Sequence, residues 1–325
     1  MAKKHYGTPY KGSKNQIADW ITSNIPTATN FYDLFAGGCA ITHKMLEESR
    51  YKNYFANDID NSGIQLFIGG IMGKYSFKTC KDWIAREDFN LLKGENPYIK
   101  YCWSFGNNGR DYLYGVDIEP YKKAWHYALF FNDYSLSQEL GFDLSETKGI
   151  NDLYEKYLTT KKIVKATQNE GIARLASLER LQSLESLESL KSLESLESLE
   201  SLESLESLES LESLESLKLS NCSYENVKIY KDSVIYCDIP YINTNSYGKK
   251  NVNTFDYKKF YDWCSKQKEL VIISEYSMPT EDFICIAETE KRSLICADSK
   301  KCTNRVEKMF IPKHQKQLYY SLMNK

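Results

Sequence analysis

The stretch "NFYDLFAGG", residues Asn30–Gly38, is a short apolar run that ends in small residues. This profile is typical of a buried strand that enters a tight loop. The helix-forming segment "ITHKMLEES" (Ile41–Ser49) follows, and "YFANDID" (Tyr54–Asp60) is predicted to be a second strand with acidic residues at its end. Strand, glycine loop, helix and strand together predict a βαβ unit, and therefore an α/β fold.

The α/β pattern returns near the end of the chain. "SVIYCDIPY" (Ser233–Tyr241) and "ELVIISEYSMP" (Glu269–Pro279) are predicted buried strands, and "EKMFIP" and "QLYYSL" are predicted closing strands. In between, the stretch from Tyr75 to Gly171 is aromatic and basic with few clean β periods, which favours helices and loops. We therefore predict an α/β domain over residues 1–75 and 220–325, interrupted by a mainly helical region, 76–174, and a repeat insert, 175–219.

Leucine recurs at every third position from Leu175 to Leu217, within near-identical Ser-Leu-Glu triplets. Three residues advance an α-helix by about 300°, so the leucines drift around a helix and form no single apolar face. In a strand they would alternate sides. A tight solenoid with leucine inward fits the period better, and a long helix packed by its neighbours is the alternative. We interpret the repeat as an acidic spacer or brace.

Charge is unevenly distributed along the chain, whose formal net charge is −2. Residues 176–217 hold eleven glutamates against Arg180 and Lys191, so this segment carries −9 and leaves +7 for the rest. A basic body is typical of a nucleic-acid binder, although ordinary soluble proteins also show a modest positive balance. The acidic segment should stay away from DNA phosphates.

Cysteine and histidine usage argues against a metal centre. The nine cysteines form no CxxC pair, and the four histidines show no ligand spacing. An odd cysteine count without a signal peptide predicts reduced thiols in the cytoplasm and no zinc site. No apolar run approaches the length of a membrane span, so we expect no membrane contact.

Two motifs suggest a nucleoside-type ligand. In "DLFAGG" (Asp33–Gly38) the glycines let the backbone approach a ligand, and the following helix points its positive end toward it. The loop lacks the third glycine of a dinucleotide site, and a plain strand-to-helix turn is the alternative. Asp58 in "NDID" follows the loop by about twenty residues and can accept both hydroxyls of a ribose. An acidic residue at a strand end is otherwise commonplace.

Two further motifs suggest base handling and a bound anion. In "CDIPY" (Cys237–Tyr241) the Asp238 carboxylate can accept a hydrogen bond from an exocyclic amine, Pro240 fixes the turn, and Tyr241 offers a stacking face. The alternative is a strand capped by an Asx-type turn with a surface tyrosine. In "TPYKGSKNQIADWI" Lys14 supplies a cation for a carboxylate or phosphate. A basic loop that leads into an amphipathic helix is the alternative there.

The order "PYKGSK", "DLFAGG", "NDID", "CDIPY", "SEYSMP" and "NRVEKMFIP" resembles the Dam-type family of DNA adenine-N6 methyltransferases of bacteria and their phages. The resemblance covers about residues 5–75 and 220–312. It implies a Rossmann-like methyltransferase domain with a mixed sheet, S-adenosylmethionine as cofactor, and methyl transfer to a flipped-out adenine at specific sites in double-stranded DNA. It implies no metal and a location in a bacterial cell or a phage-infected host, and we expect a monomer.

The resemblance assigns roles to individual residues. Asp238, Ile239, Pro240 and Tyr241 match the D-P-P-Y catalytic motif, with Ile239 at the second position, which is usually proline. That position contributes mainly a backbone carbonyl, although its proline also stiffens the turn. The cofactor-binding positions are matched by Tyr10, Lys14, Asp33, Phe35, Gly37, Asp58 and Asp238. Among them, Lys14 is expected near the methionyl carboxylate and Asp58 at the ribose.

The region from Tyr75 to Gly171 occupies the place of the family's target-recognition region. Arg110, Lys122, Lys123 and Trp103 are candidates for contacts to phosphates and bases. The alternative is that "WSFGN" packs beneath the cofactor pocket. Three other functions remain open from the sequence: an N4-cytosine methyltransferase, a catalytically silent DNA-binding protein, and a scaffold whose acidic repeat binds partners.

Overall fold

The computed structural model describes residues 5–163, 196–211, 215–241, 255–291 and 305–324. The chain divides into two compact units, each built from segments that are distant in the sequence. Unit 1 comprises residues 1–8, 12–71 and 208–325, and unit 2 comprises residues 9–11 and 72–207.

Unit 1 contains a mixed sheet of seven described strands in the order β3-β2-β1-β4-β5-β7-β6. Strands β1 to β5 run parallel, whereas β7 is antiparallel to both β5 and β6. Every residue of β1 and β5 is buried, as expected for inner parallel strands. The predicted α/β, Rossmann-like fold with a mixed sheet is confirmed. The strands are β1 (Asn30–Asp33), β2 (Asn53–Asn57), β3 (Leu217–Ser220), β4 (Ser233–Asp238), β5 (Leu270–Glu275), β6 (Phe283–Lys291) and β7 (Arg305–Pro312).

Helices of unit 1 cover both faces of this sheet. Phe31 packs in one core cluster with Ile21 and Met45, and the next residue, Tyr32, packs in a second cluster with Phe260. Successive side chains point to opposite faces of a strand, so the two clusters lie on opposite sides of the sheet. The helices are α1 (Ala18–Ser23), α2 (Ala40–Glu48), α3 (Ser62–Ile71), α9 (Tyr257–Lys266) and α10 (Lys316–Met323).

The segment "QLYYSL" forms most of helix α10, so the prediction of a strand there is wrong. Tyr319 is buried in the first core cluster, and Leu318 and Leu322 pack against it. Leu318 and Leu322 are four residues apart and share one face of a helix with Tyr319. Six residues rich in aromatic side chains are too few to distinguish this period from the alternation of a strand.

The regular secondary structure of unit 2, in its described part, is mainly helical, in agreement with the predicted mainly helical region. Asn96 caps α5, because its side chain accepts hydrogen bonds from the Tyr98 and Ile99 N–H groups, and Pro97 opens the helix. The helices are α4 (Arg86–Leu92), α5 (Pro97–Cys102), α6 (Glu119–Phe131), α7 (Ser135–Glu139) and α8 (Glu197–Glu206), and residues 153–163 are also helical.

Two residues that the sequence suggested as DNA contacts lie inside unit 2. Trp103 is fully buried and makes an edge contact with Trp83 at 5.1 Å. Lys122 is 1% exposed, and its ammonium lies 3.1 Å from a carboxylate oxygen of Glu197. Neither side chain is accessible to DNA, so the suggestion is wrong for both. Arg110 is exposed and stays a candidate.

Described triplets of the repeat form helix α8, whereas the last repeat leucine, Leu217, begins strand β3 of unit 1, so the predicted end of the insert at residue 219 is wrong. Leu199, Leu202 and Leu205 are all buried, although the period predicted no single apolar face. Each triplet shifts the leucine by about 60° around the helix, so three leucines span about 120°. A helix of ten residues can bury them all on one broad face. A short helix therefore forms here in place of the expected solenoid, and the triplets of 175–195 and 212–214 lie outside the described residues.

Candidate active site

Three candidate carboxylates lie at one edge of the sheet in unit 1. Asp33 ends β1, Asp58 follows β2, and Asp238 ends β4. Strand β1 pairs in parallel with both β2 and β4, so the carboxyl ends of all three strands are neighbours. Open α/β sheets bind ligands outside these ends.

The glycine loop between β1 and α2 packs closely on helix α3. Gly37 adopts a positive φ of 49°, and its N–H donates a hydrogen bond to Asp58 Oδ2 at 2.8 Å. A Cβ on Gly63, in the first turn of α3, would lie 2.0 Å from the Gly37 carbonyl oxygen. Only glycine fits at position 63, and the close contact with helix α3 therefore fixes the backbone of the loop.

The amino-terminal segment that leads to Lys14 is docked on the same loop. The Thr8 N–H donates to the Gly38 carbonyl at 2.8 Å, and the Gly7 N–H donates to Nδ1 of His43 at 2.9 Å. A Cβ on Gly7 would lie 2.5 Å from the Gly38 oxygen, so the two backbones touch. This contact holds the start of the chain against the predicted cofactor loop.

Asp58 is oriented by backbone amides. Its Oδ1 accepts the Asp60 N–H at 2.9 Å, and its Oδ2 accepts that of Gly37. Burial raises the pKa of the carboxyl group, and these hydrogen bonds oppose the rise. An ionised carboxylate has roughly four acceptor positions, so Asp58 keeps capacity for a ligand hydroxyl.

Asp33 is buried under the loop. Its Oδ2 accepts the Thr42 hydroxyl at 2.8 Å, whereas its buried Oδ1 has no hydrogen-bond partner among the described residues. Loss of water raises its pKa to about 7, with the charges of Asp238 and Asp58 adding to the rise and Thr42 opposing it. An unsatisfied buried acceptor suits a ligand cation or donor.

Lys14 connects the first and last residues of the Asp238–Tyr241 turn. Its Nζ lies 2.7 Å from Asp238 Oδ1 and 4.6 Å from the centre of the Tyr241 ring. The Lys14 side chain is only 9% exposed, so water screens the ion pair weakly. The sequence predicted all three residues as site residues, and the structure brings them together.

Two residues that the sequence did not single out hold the same turn. The Tyr241 hydroxyl donates to Glu307 Oε2 at 2.7 Å, and the Tyr257 hydroxyl donates to the Pro240 carbonyl at 2.7 Å. Burial raises the pKa of the Tyr241 hydroxyl, so it remains a donor. In the sequence, the one sign of a role for Glu307 was its position as an acidic residue inside the apolar closing strand "NRVEKMFIP".

The remaining predicted residues lie as follows. Ile239 is 1% exposed and packs in the second core cluster. Phe35 belongs to an aromatic group in unit 1, with its ring 5.5 Å from that of Tyr224. Tyr10 belongs to unit 2, where its ring lies 5.1 Å from that of Tyr101.

The described part of the chain contains neither a metal site nor a membrane span. Within the described ranges, no three His, Cys, Asp or Glu residues are grouped so that they could hold a metal ion. None of the described helices combines the length and the apolar composition that crossing a membrane requires.

Part of this chain matches a known protein family. Residues 10–88 match the model of the D12 class N6 adenine-specific DNA methyltransferases. The matched range contains Lys14, the glycine loop and Asp58. No curated protein matches the chain. The family match confirms the predicted Dam-type resemblance and indicates a DNA adenine methyltransferase.

Proposed function

We propose that this chain, whose residues 10–88 match the D12 class N6 adenine-specific DNA methyltransferases, transfers a methyl group from S-adenosylmethionine to a flipped-out adenine at specific sites in double-stranded DNA. The observation that supports this best is the grouping of Asp238, Lys14 and Tyr241 at the end of β4. A carboxylate acceptor and an aromatic ring, held together by a cation, suit an amino group on a flat base.

The residues at the neighbouring strand ends fit the proposed cofactor. Asp58 can still accept a hydrogen bond from a ribose hydroxyl. Gly37 has no side chain, so a ligand can approach its backbone closely. The unsatisfied Asp33 Oδ1 suits the ammonium group of the methionyl part. Bound S-adenosylmethionine supplies a methyl group that its sulfonium makes electrophilic. The expected place of Lys14 near the methionyl carboxylate stays a prediction.

The chain's own contribution is to hold and orient the base. The amino nitrogen of adenine is a poor nucleophile because its lone pair is delocalised into the ring. Asp238 and the Ile239 carbonyl would accept hydrogen bonds from its two N–H groups and so direct the lone pair out of the ring plane. Lys14 stabilises the ionised form of Asp238, which can only accept hydrogen bonds. Tyr241 offsets part of the unstacking cost, which is a few kcal/mol.

Methyl transfer would then be direct, with no covalent enzyme intermediate. The cofactor would supply an electrophilic methyl group, and the amino nitrogen that accepts it would then give up one proton. Asp238 already accepts a hydrogen bond from that N–H, so it is placed to receive the proton. Positioning and electrostatics are therefore the protein's main tools.

We also propose a division of labour along the chain. Residues 1–75 and 220–325 would form the catalytic domain, and residues 76–174 would recognise the target. The separation of the two units after Ile71 and before Leu208 supports this proposal. It also changes the extent of the insert, because the triplets of α8 belong to unit 2 with the target-recognition region.

The proposal is tested with purified protein, labelled S-adenosylmethionine and DNA amplified by PCR, which carries no methylation. We expect label on adenine, located by sequencing. Asp238→Ala should abolish transfer, because it removes the acceptor that orients the amino group, while circular dichroism shows an intact fold. Asp262→Ala, an exposed carboxylate on α9 of the same unit, is the matched control and should keep wild-type transfer.

Three outcomes would count against parts of the proposal. Label on cytosine would identify an N4-cytosine methyltransferase. No label with the wild-type protein would reject methyl transfer altogether. Near-normal turnover of the Asp238→Ala protein would reject this assignment of the catalytic site while leaving the activity in place.

A further inference from the structure

We propose that Glu307 is a positioning residue that fixes the Tyr241 ring for base stacking. The inference rests on the proposed function, and it concerns a residue outside the Asp238–Tyr241 motif. The reason for such a residue lies in the motif itself, where Ile239 stands in place of a proline. A proline locks its own φ and restricts the residue before it, and isoleucine does neither.

Side-chain contacts replace the missing stiffness of the turn. Ile239 is 1% exposed and is packed among core residues of unit 1. The Pro240 carbonyl accepts a hydrogen bond of 2.7 Å from the Tyr257 hydroxyl, at the start of α9. These contacts fix the backbone on both sides of the turn, but neither fixes the ring that follows.

Glu307 holds the tip of that ring. Its Oε2 accepts the Tyr241 hydroxyl at 2.7 Å. Glu307 is 2% exposed and lies in β7, where its Cα is paired with that of Thr289 in β6. A residue inside a sheet is a rigid anchor, and a buried carboxyl group is costly to keep unless it makes such a bond.

Two other contacts lie at an edge and at one face of the ring. The Tyr276 ring meets it edge-on, with ring centres 4.5 Å apart and an interplanar angle of 89°. The Lys14 ammonium lies over the ring, 4.6 Å from its centre. Residues of unit 1 thus contact the hydroxyl end, one edge and one face of the Tyr241 ring. Glu307 supplies the hydrogen bond to the hydroxyl end. A stacking ring fixed before the base arrives loses less entropy on binding.

The test compares Glu307→Gln, Glu307→Ala, Tyr241→Phe and the Tyr241→Phe/Glu307→Ala double variant. Readouts are kcat, the KM for DNA, the thermal unfolding midpoint, and the fluorescence of 2-aminopurine placed at the adenine that sequencing identifies. The matched control is Glu288→Ala, which removes an exposed glutamate of β6 that pairs with Lys308 at 3.6 Å.

We expect Glu307→Ala to lower kcat about tenfold and to change the 2-aminopurine signal, since one hydrogen bond to the ring is lost. Tyr241→Phe removes the same bond but keeps the ring, so it should match Glu307→Ala, and the double variant should be no worse than either. Glu307→Gln keeps an acceptor oxygen and should recover most of kcat. Glu288→Ala should behave as wild type.

Several results would overturn the inference. A Glu307→Ala protein with a lower unfolding midpoint but normal kcat would show a purely structural role. Multiplicative losses in the double variant, or a Glu307→Gln protein as poor as Glu307→Ala, would show that Glu307 does not act through the Tyr241 hydroxyl. If Glu307→Ala does not fold, Tyr241→Phe with wild-type kcat rejects the inference by itself. An inactive wild-type protein rejects the proposed function, and this inference with it.

Discussion

Burial changes the pKa of the Asp33 carboxyl group at the candidate site. It ends β1 with 2% exposure, and loss of water raises its pKa from the ordinary 3.8 to about 7. The neighbouring charges of Asp238 and Asp58 add to the rise. Near neutral pH a substantial fraction of the group is therefore protonated, and its charged form opposes folding.

Substitution of Asp33 should change how stability depends on pH. Because the folded-state pKa lies above the unfolded value, the stability that Asp33 contributes is fully present below about pH 4 and is lost as pH rises through about 7. Each pKa unit corresponds to about 1.4 kcal/mol. Asp33→Asn removes this titration, so its free energy of unfolding should rise relative to that of the wild-type protein between pH 4 and about 8.

Urea unfolding at a series of pH values measures this difference. Asp262→Asn, which changes an exposed carboxyl group in the same unit, should follow the wild-type curve at every pH. If the Asp33→Asn curve also runs parallel to that of the wild-type protein, the Asp33 carboxyl group titrates alike in the folded and unfolded states.

Helix α8 shows how the triplet repeat is used at the scale of an element. The serines contribute as well as the leucines: Ser198 Oγ lies 3.0 Å from the Tyr114 hydroxyl, and Ser201 Oγ accepts from Asn107 at 3.4 Å. Lys122 pairs with Glu197 at 3.1 Å. All three positions of the triplet thus meet a partner in unit 2, and the triplets of α8 form a core element of this unit.

Leu202→Ala should therefore destabilise unit 2. Leu202 is 1% exposed in the middle of α8, and truncating a buried leucine costs about 2–5 kcal/mol. Glu203→Ala is the matched control, because Glu203 belongs to the same triplet but is exposed, and it should cost less than about 0.5 kcal/mol. Circular dichroism during urea unfolding measures both. Equal, small losses would mean that α8 is not part of the core.

The elements that the sequence predicted correctly are those with a buried apolar run and a clear boundary. Strands β1 and β4 are such runs, and each ends in residues with a distinctive role. The prediction of a strand over residues 317–322 was wrong because six residues are too few to distinguish the period of a helix from that of a strand. The prediction for the repeat was wrong because the drift of the leucines around a helix matters only in a long helix. Helix α8 is short enough to bury every one of its leucines.

At the candidate site, residue types and their order were predictable, but their partners were not. Asp238, Tyr241 and Lys14 stand in recognisable motifs, and the sheet brings those motifs together. Glu307 is 66 residues from Tyr241 in the sequence, so its role depends on the pairing of β7 beside β5. No local pattern encodes that distance, and an acidic residue in a closing strand is alone a weak signal.

Over the whole molecule, acidic and basic charge are segregated. Residues 176–217 carry −9, and the remainder carries +7. A protein that acts on DNA is attracted by phosphates through its basic part and repelled through its acidic part. At an ionic strength of about 0.1 M the Debye length is about 10 Å, so this repulsion acts beyond the distance of direct contact.

Neutralising the repeat should therefore strengthen DNA binding at low salt. Glu197 and Glu200 are retained, because they contact Lys122 and Tyr157 in unit 2, and the other nine glutamates of residues 176–217 are changed to glutamine. The segment then carries no net charge. We expect the Kd for a mixed-sequence duplex to fall about two- to tenfold near 50 mM salt, and the gain to fade at several hundred millimolar as the charges are screened.

A second variant with aspartate at the same nine positions keeps the charge and is the control for altered helix propensity. Fluorescence anisotropy across a salt series gives the Kd of each protein and the slope of log K against log salt. The glutamine protein should separate from the aspartate and wild-type proteins only at low salt. If the glutamine and aspartate proteins bind equally at 50 mM, the acidic triplets do not repel DNA, and their charge serves only the solubility and packing of the repeat itself.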